Sequence, residues 1–156
     1  MDTHLSLFYG FSFLTAVLAF AFAVYLYLWV KKQSVENARI IEVSALIKEG
    51  ANTFMRREYG ILARFAAVAA VLILLFLPSP IWSGSPIPNI EMAVSYLAGT
   101  VLSAIAGKIG ILVATLSNGR TAEAAKKGIK PAFLIGFRGG AVMGLLVVGC
   151  SLLGVA

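Results

Sequence analysis

Four apolar stretches, each long enough to cross a lipid bilayer, constrain this chain more than any other feature. A helix needs about 20 apolar residues to span a hydrocarbon core of about 30 Å. The stretches cover residues 5–30, 60–77, 92–116 and 131–156, and they show no strand-like alternation of apolar and polar residues. Backbone groups in lipid must be paired within their own segment. The sequence therefore predicts an all-α integral membrane protein, a single membrane domain over 1–156 with four transmembrane helices.

The composition excludes other classes of protein. Only 13% of the residues are charged and 60% are hydrophobic, whereas a soluble domain is about a quarter charged. The single cysteine, Cys150, rules out an internal disulfide framework and a multi-cysteine zinc site. The net charge is +6, but the charges lie between the apolar runs. The expected partner is the lipid bilayer, with no role for nucleic acid.

The distribution of lysine and arginine predicts the orientation. Segment 31–59 carries six of them and segment 117–130 carries four, whereas 78–91 and the residues before the first span carry none. Loops rich in Lys and Arg stay in the cytoplasm. We therefore expect a multi-pass protein of the cell membrane with cytoplasmic loops at 31–59 and 117–130, an outer loop at 78–91 and both termini outside. The first span is longer than a signal-peptide core and has no basic residue before it, so we expect a retained helix.

The basic segment before the second span has the pattern of a helix. It contains no proline, and Ala38, Ile41 and Ala45 recur at helical spacing. This predicts a helix that begins well before Gly60, with Glu36 and Arg39 paired three residues apart. The outer loop 78–91, by contrast, holds four prolines and is not expected to be helical throughout.

Three basic residues lie inside the predicted spans. Lys108 is the deepest, eight residues from the inner end of the third span. A charge at such depth usually faces protein, water or a partner charge, although a long side chain can also extend to the headgroups. Arg64 and Arg138 lie closer to the inner surface, where the second explanation is favoured.

A glycine pattern on the fourth span predicts helix packing. Gly136, Gly140 and Gly144 are spaced four residues apart and form a small-residue face that lets another helix approach closely. Val142, two residues from Gly140, is expected to point to lipid. Catalytic chemistry has no equivalent signal. No aspartate follows Asp2, and every glutamate lies in a loop or at a span edge, so no catalytic or metal-binding residue is predicted.

Three motifs together resemble the membrane-bound, ion-translocating inorganic pyrophosphatases. Ile47–Tyr59 (IKEGANTFMRREY) resembles the loop before that family's second helix. Gly107–Gly110 (GKIG) with Asn118–Ala125 (NGRTAEAA) resembles its third helix and the next loop, and Phe137–Gly144 (FRGGAVMG) resembles the start of its fourth. Lys108 departs from the family, which more often has an aromatic or small residue there. Order, spacing and topology agree over positions 47–144.

The resemblance implies a pump that hydrolyses pyrophosphate on the cytoplasmic side and moves H⁺ or Na⁺ outward. Family members are homodimers of sixteen-helix subunits that bind Mg²⁺ through aspartates, and some also require K⁺. This chain would match the first four helices only, so it should bind no Mg²⁺ and be inactive alone, as a fragment, a split-gene product or the start of a longer protein. The ion and the K⁺ dependence stay open, because the resemblance places their determinants beyond residue 156.

The resemblance and the patterns above nominate residues for packing or coupling to the remaining helices. They are Arg56, Glu58, Lys108, Arg120, Gly136, Arg138, Gly140 and Gly144. Two other hypotheses for the function of the chain remain at this point: a stand-alone four-helix transporter, and a non-enzymatic assembly subunit. A proton-coupled transporter would need a carboxylate inside the membrane.

Overall fold

The computed structural model describes residues 2–82 and 84–155, with side chains described for 7–82 and 84–154. Ser83, in the proline-rich loop, lies outside the described residues. The described residues form four helices: α1 (Asp2–Lys31), α2 (Ala38–Phe76), α3 (Ile87–Ala125) and α4 (Ile129–Val155). All four are long and apolar enough to cross a membrane. The predicted all-α membrane class is confirmed.

Two of the helices extend far beyond the predicted spans. Helices α2 and α3 have 39 residues each, which corresponds to about 58 Å at 1.5 Å per residue. The early start of α2 is confirmed, since it begins at Ala38. Helix α3 continues past Leu116 to Ala125, so most of the basic segment 117–130 is helical. The turn to α4 follows at once, with Gly128 at φ +126°, a conformation that favours glycine.

Asn37 caps α2 and sets its first residue. Its side-chain Oδ1 accepts hydrogen bonds from the backbone N–H groups of Arg39 (3.0 Å) and Ile40 (3.1 Å). Glu36 therefore lies outside the helix, and the predicted pairing of Glu36 with Arg39 is wrong. Arg39 instead pairs with Glu42, one turn further into α2, at 2.8 Å.

The chain divides into two compact units, of which the first comprises residues 1–52 and 106–156. Apart from Gly119, its buried positions on α1, α3 and α4 are spaced by three, four or seven residues, as in a coiled-coil seam. On α1 they are Ser12, Ala16, Ala19, Ala23, Leu26 and Val30; on α3, Ala106, Gly110, Val113, Ser117 and Ala124; on α4, Ile135, Gly139, Val142 and Gly149. Small residues dominate these seams.

The centre of this unit contains a residue that was predicted to face lipid. Val142 is only 2% exposed and packs with Ala23, Leu26 and Val113. A second cluster joins Val30, Ala124 and Ile135. The predicted lipid-facing position of Val142 is therefore wrong, because the side of α4 opposite Gly140 is the side that packs against the other helices of the unit.

The second unit, residues 53–105, is a hairpin of the later part of α2 and the earlier part of α3. Asn89 is fully buried, and its Nδ2 donates to the carbonyl oxygens of Leu74 (3.0 Å) and Ser79 (2.8 Å). The Tyr59 hydroxyl donates to the Ala104 carbonyl at 2.8 Å. These bonds hold the two arms of the hairpin and its turn together.

Candidate functional site

Arg120 ties α3 to the end of α1. It falls within the seam of α3, between Ser117 and Ala124, and is half-buried. One terminal nitrogen donates to the Leu116 carbonyl at 2.9 Å, and the other to the carbonyl of Lys31, the last residue of α1, at 3.2 Å. The last carbonyl groups of a helix lack partners within the helix and carry partial negative charge. A guanidinium at this point satisfies one of them and fixes the end of α1.

Arg138 is held by an aromatic ring. Its guanidinium carbon lies 3.9 Å from the centroid of the Trp29 ring on α1, well inside the range for a cation–π interaction. Arg138 is half-buried, and Trp29 packs against the Val30–Ala124–Ile135 cluster. The side chain thus has a partner inside the protein, whereas the sequence favoured an extension toward the headgroups.

Glu123 connects the end of α3 to the segment before α2. It lies beyond the apolar part of α3, which ends near Leu116. Its carboxylate accepts hydrogen bonds from the Lys126 ammonium (2.9 Å) and from the backbone N–H of Asn37 (3.1 Å). These two bonds, the one from Lys126 above all, hold the pKa of the Glu123 carboxyl below its usual value. Sequence reasoning singled out none of Trp29, Asn37 and Glu123 as functional.

On α4, the glycines in tight contact with neighbours inside the first unit are not the three that the spacing nominated, whereas Gly110, part of a small-residue pattern on α3, does meet the Met143 side chain. A Cβ atom on Gly139 would lie 2.7 Å from the Ser117 Cβ, and one on Gly149 would lie 2.9 Å from the Phe20 ring. Gly136 has room beside Thr121 at 3.6 Å. Among the described residues, and leaving aside the adjacent backbone of α4, no atom lies within 4 Å of a Cβ added to Gly140 or Gly144. The face that bears Gly140 and Gly144 is open.

The remaining nominated residues are divided between the two units. Lys108 is exposed and has no hydrogen bond or ion pair to the described side chains. Arg56 and Glu58 belong to the second unit, where Arg56 lies with Arg57 and Arg64 along one shallow groove of α2. Glu58 is half-buried and has no ion-pair partner among residues 7–82 and 84–154.

Nothing in the described residues fits a bound metal ion. No three His, Cys, Asp or Glu side chains come together within residues 2–82 and 84–155, whereas Mg²⁺ sites are built from several oxygen ligands. The groups that do converge are basic side chains, helix-end carbonyls, one indole and small seam residues. This arrangement joins the helices of the first unit to one another.

The sequence matches the family model described as "Inorganic H+ pyrophosphatase" over residues 17–156. The chain belongs to this family. It is 36% identical over 141 residues to a K⁺-insensitive pyrophosphate-energized proton pump of Methanosarcina mazei. It is also 36% identical over 144 residues to a K⁺-stimulated pyrophosphate-energized sodium pump of Thermotoga maritima. A proton pump of Caldanaerobacter subterraneus, named as K⁺-insensitive, is 33% identical over 160 residues.

These matches involve most of this chain but a small part of each relative. They cover 90%, 91% and 100% of the chain, and only 20%, 18% and 22% of the respective relatives. The chain thus spans about a fifth of the length of the pyrophosphatases that it matches. The resemblance found from the three motifs is confirmed, and the matched share agrees with the expectation that this chain corresponds to part of a longer pump subunit.

Proposed function

We propose that this chain is the N-terminal four-helix part of a membrane pyrophosphatase that couples pyrophosphate hydrolysis to outward pumping of H⁺ or Na⁺. The observation that carries the proposal is the family match over residues 17–156. The aligned part of this chain corresponds to only about a fifth of the length of a matched pump. A stand-alone four-helix transporter or an assembly subunit is not favoured, since the relatives named are pumps energized by pyrophosphate.

The proposed orientation places the basic ends of the helices in the cytoplasm. Ten Lys and Arg residues in 31–59 and 117–130, against none in 78–91, support this side. The N-terminus would then lie outside the cell membrane. In this orientation Arg120, Arg138 and Glu123 fasten the helices at the surface where pyrophosphate would be hydrolysed.

The proposal assigns the catalytic reaction to the remaining helices of the pump. Phosphoryl transfer depends on metal ions that neutralise charge on the phosphate oxygens, and Mg²⁺ would be held there by aspartates outside this chain. Helices α1 to α4 would pack around the catalytic helices through open surfaces such as the face of Gly140 and Gly144. Lys108 is exposed and has no ion pair in the described residues, so it lies on another surface that is open for such packing. The complete pump would be a homodimer.

The test is to express the chain alone and with the coding sequence that follows it. Inverted membrane vesicles are supplied with pyrophosphate and excess Mg²⁺, and phosphate release and ion uptake are measured. We expect neither activity from the chain alone and both from the combination. A following sequence without aspartate clusters, or turnover that copurifies with this chain alone, would contradict the proposal.

A further inference from the structure

A groove of about 670 Å³ opens at the basic end of the first unit, a volume in the range of ligand sites. Its walls come from the end of α1, the segment before α2, the first turns of α2 and residues 112–120 of α3. Gly119 lies in the wall where α2 and α3 meet, and a Cβ there would collide with the Ser44 side chain. Glycine at this position allows the close approach that shapes the groove.

The groove is lined by cations without counter-ions. Lys31, Lys32, Lys48 and Arg120 line it, and its lining contains no aspartate or glutamate. The two ion pairs found among the described side chains, Arg39–Glu42 and Glu123–Lys126, use none of these four cations. Positive charges that converge in a cleft raise the local concentration of anions. The groove therefore favours an anionic ligand.

Arg120 supplies a second, independent observation. Its two terminal nitrogens are fixed by the Leu116 and Lys31 carbonyls, but its Nε is buried and has no hydrogen-bond partner among the described residues. Buried polar groups in proteins nearly always have a partner. The buried Nε does not itself reach the groove, so the contribution of Arg120 is its positive charge, which two carbonyl groups hold in the groove wall.

The chemistry of the lining changes along the groove. Beside the four cations it is lined by Tyr27, Leu112 and Leu116, which belong to the apolar parts of α1 and α3. A cationic mouth next to an apolar wall at the end of membrane helices fits a phosphate group carried on an acyl chain. A free phosphate or pyrophosphate would use the cations but would leave the apolar wall without a function.

We propose that this groove binds the phosphate of an anionic phospholipid. The lysine ammonium groups and Arg120 would hold the phosphate oxygens, and the acyl chains would lie against Tyr27, Leu112 and Leu116. The inference goes beyond the pump function proposed above and does not depend on which side of the membrane the groove faces.

The test uses the full chain in detergent micelles and native mass spectrometry to count retained lipids. Phosphatidylglycerol and phosphatidylcholine are compared as probes. We expect the first to be retained in preference to the second. The double variant Lys32→Gln/Lys48→Gln should weaken its binding about 25-fold, from about fivefold for each lost charge. The control Lys127→Gln/Lys130→Gln removes the same charge from the same end of the helices but lies outside the groove, and should bind as the unaltered chain does.

Further arms separate the possible outcomes. The variant Lys32→Arg/Lys48→Arg should retain binding, and circular dichroism should show unchanged helix content in all variants. Equal retention of the two lipids, or equal loss in the groove and control variants, would overturn the proposal. Inorganic phosphate and pyrophosphate are added in a separate arm. Tight binding of either one without lipid retention would assign the groove to a soluble anion and overturn the lipid assignment.

Discussion

The Arg138 guanidinium lies over the indole ring of Trp29, 3.9 Å from its centroid, and so joins α4 to α1. Arg138 is seven residues inside the predicted fourth span, where an unpartnered charge would be costly. The ring provides a partner without adding a negative charge to the membrane interior. Any change in the ring should therefore be felt in the packing of these two helices.

Replacement of Trp29 tests this pair. Trp29→Leu should lower the free energy of unfolding by about 1–2 kcal/mol, because it removes the π face from a half-buried guanidinium. Trp29→Phe keeps a weaker face and should lose less. Stability is measured by thermal loss of helical circular dichroism in micelles. Equal losses in the two variants would show that the ring contributes only its bulk.

Two adjacent glycines give a matched test of the α4 seam. Gly139→Ala should destabilise the chain by about 1–3 kcal/mol, because its Cβ would overlap the buried Ser117 side chain. Gly140→Ala has open space, and should be neutral or stabilise the helix by up to about 1 kcal/mol. The readout is the same thermal unfolding experiment. A result of the same sign for both variants would place the seam elsewhere on α4.

The open face of α4 is tested by assembly and not by stability. Gly140→Leu should leave this chain folded, since no neighbouring helix comes within 4 Å of the added Cβ in the part of the chain that the structure describes. It should reduce copurification with the remaining helices of the pump, because a large side chain blocks close approach of another helix. Gly140→Ala is the control and should be recovered with them normally. Equal recovery of the two variants would remove the packing role proposed for this face.

The orientation is tested with single cysteines in a Cys150→Ala background. Cysteines at Lys48 and Lys127 should react with a membrane-impermeant reagent only from the cytoplasmic side. One at Gly84, which is exposed in the proline-rich loop, should react only from outside. This pattern follows from the retention of basic loops in the cytoplasm. Labelling of Lys127→Cys from outside would reverse the topology.

The four helices could be predicted from the sequence, but the side of each helix that packs against protein could be predicted less well. Apolar length fixed the four helices, and the absence of proline with helical spacing predicted that α2 begins well before Gly60. The predicted lipid contact of Val142 was wrong, because lipid and protein core are both apolar. Hydrophobicity therefore does not show which of the two a side chain contacts. A usable signal was present in Ile135, Gly139, Val142 and Gly149, which are separated by four, three and seven residues and so lie on one face of α4. The spacing of Gly136, Gly140 and Gly144 instead predicted helix packing on a neighbouring face of α4.

Contacts between distant parts of the chain could not be read from local spacing. The hydrogen bond from Asn37 to Glu123 joins residues 86 positions apart, and that from Arg120 to Lys31 joins residues 89 positions apart. The pairing of Glu36 with Arg39 failed for a local reason that the sequence did contain. Asparagine is among the strongest N-cap residues, and Asn37 ends the non-helical segment after Glu36.

The seam of Ala16, Ala19 and Ala23 on α1 has a thermodynamic consequence. Separation of α1 from its neighbours within a bilayer would expose these methyl groups to acyl chains and not to water. The large heat capacity change of unfolding in soluble proteins comes from the hydration of apolar surface. Opening of this seam in lipid should therefore have a nearly temperature-independent enthalpy, and the helix packing should not weaken on cooling as a water-driven core does.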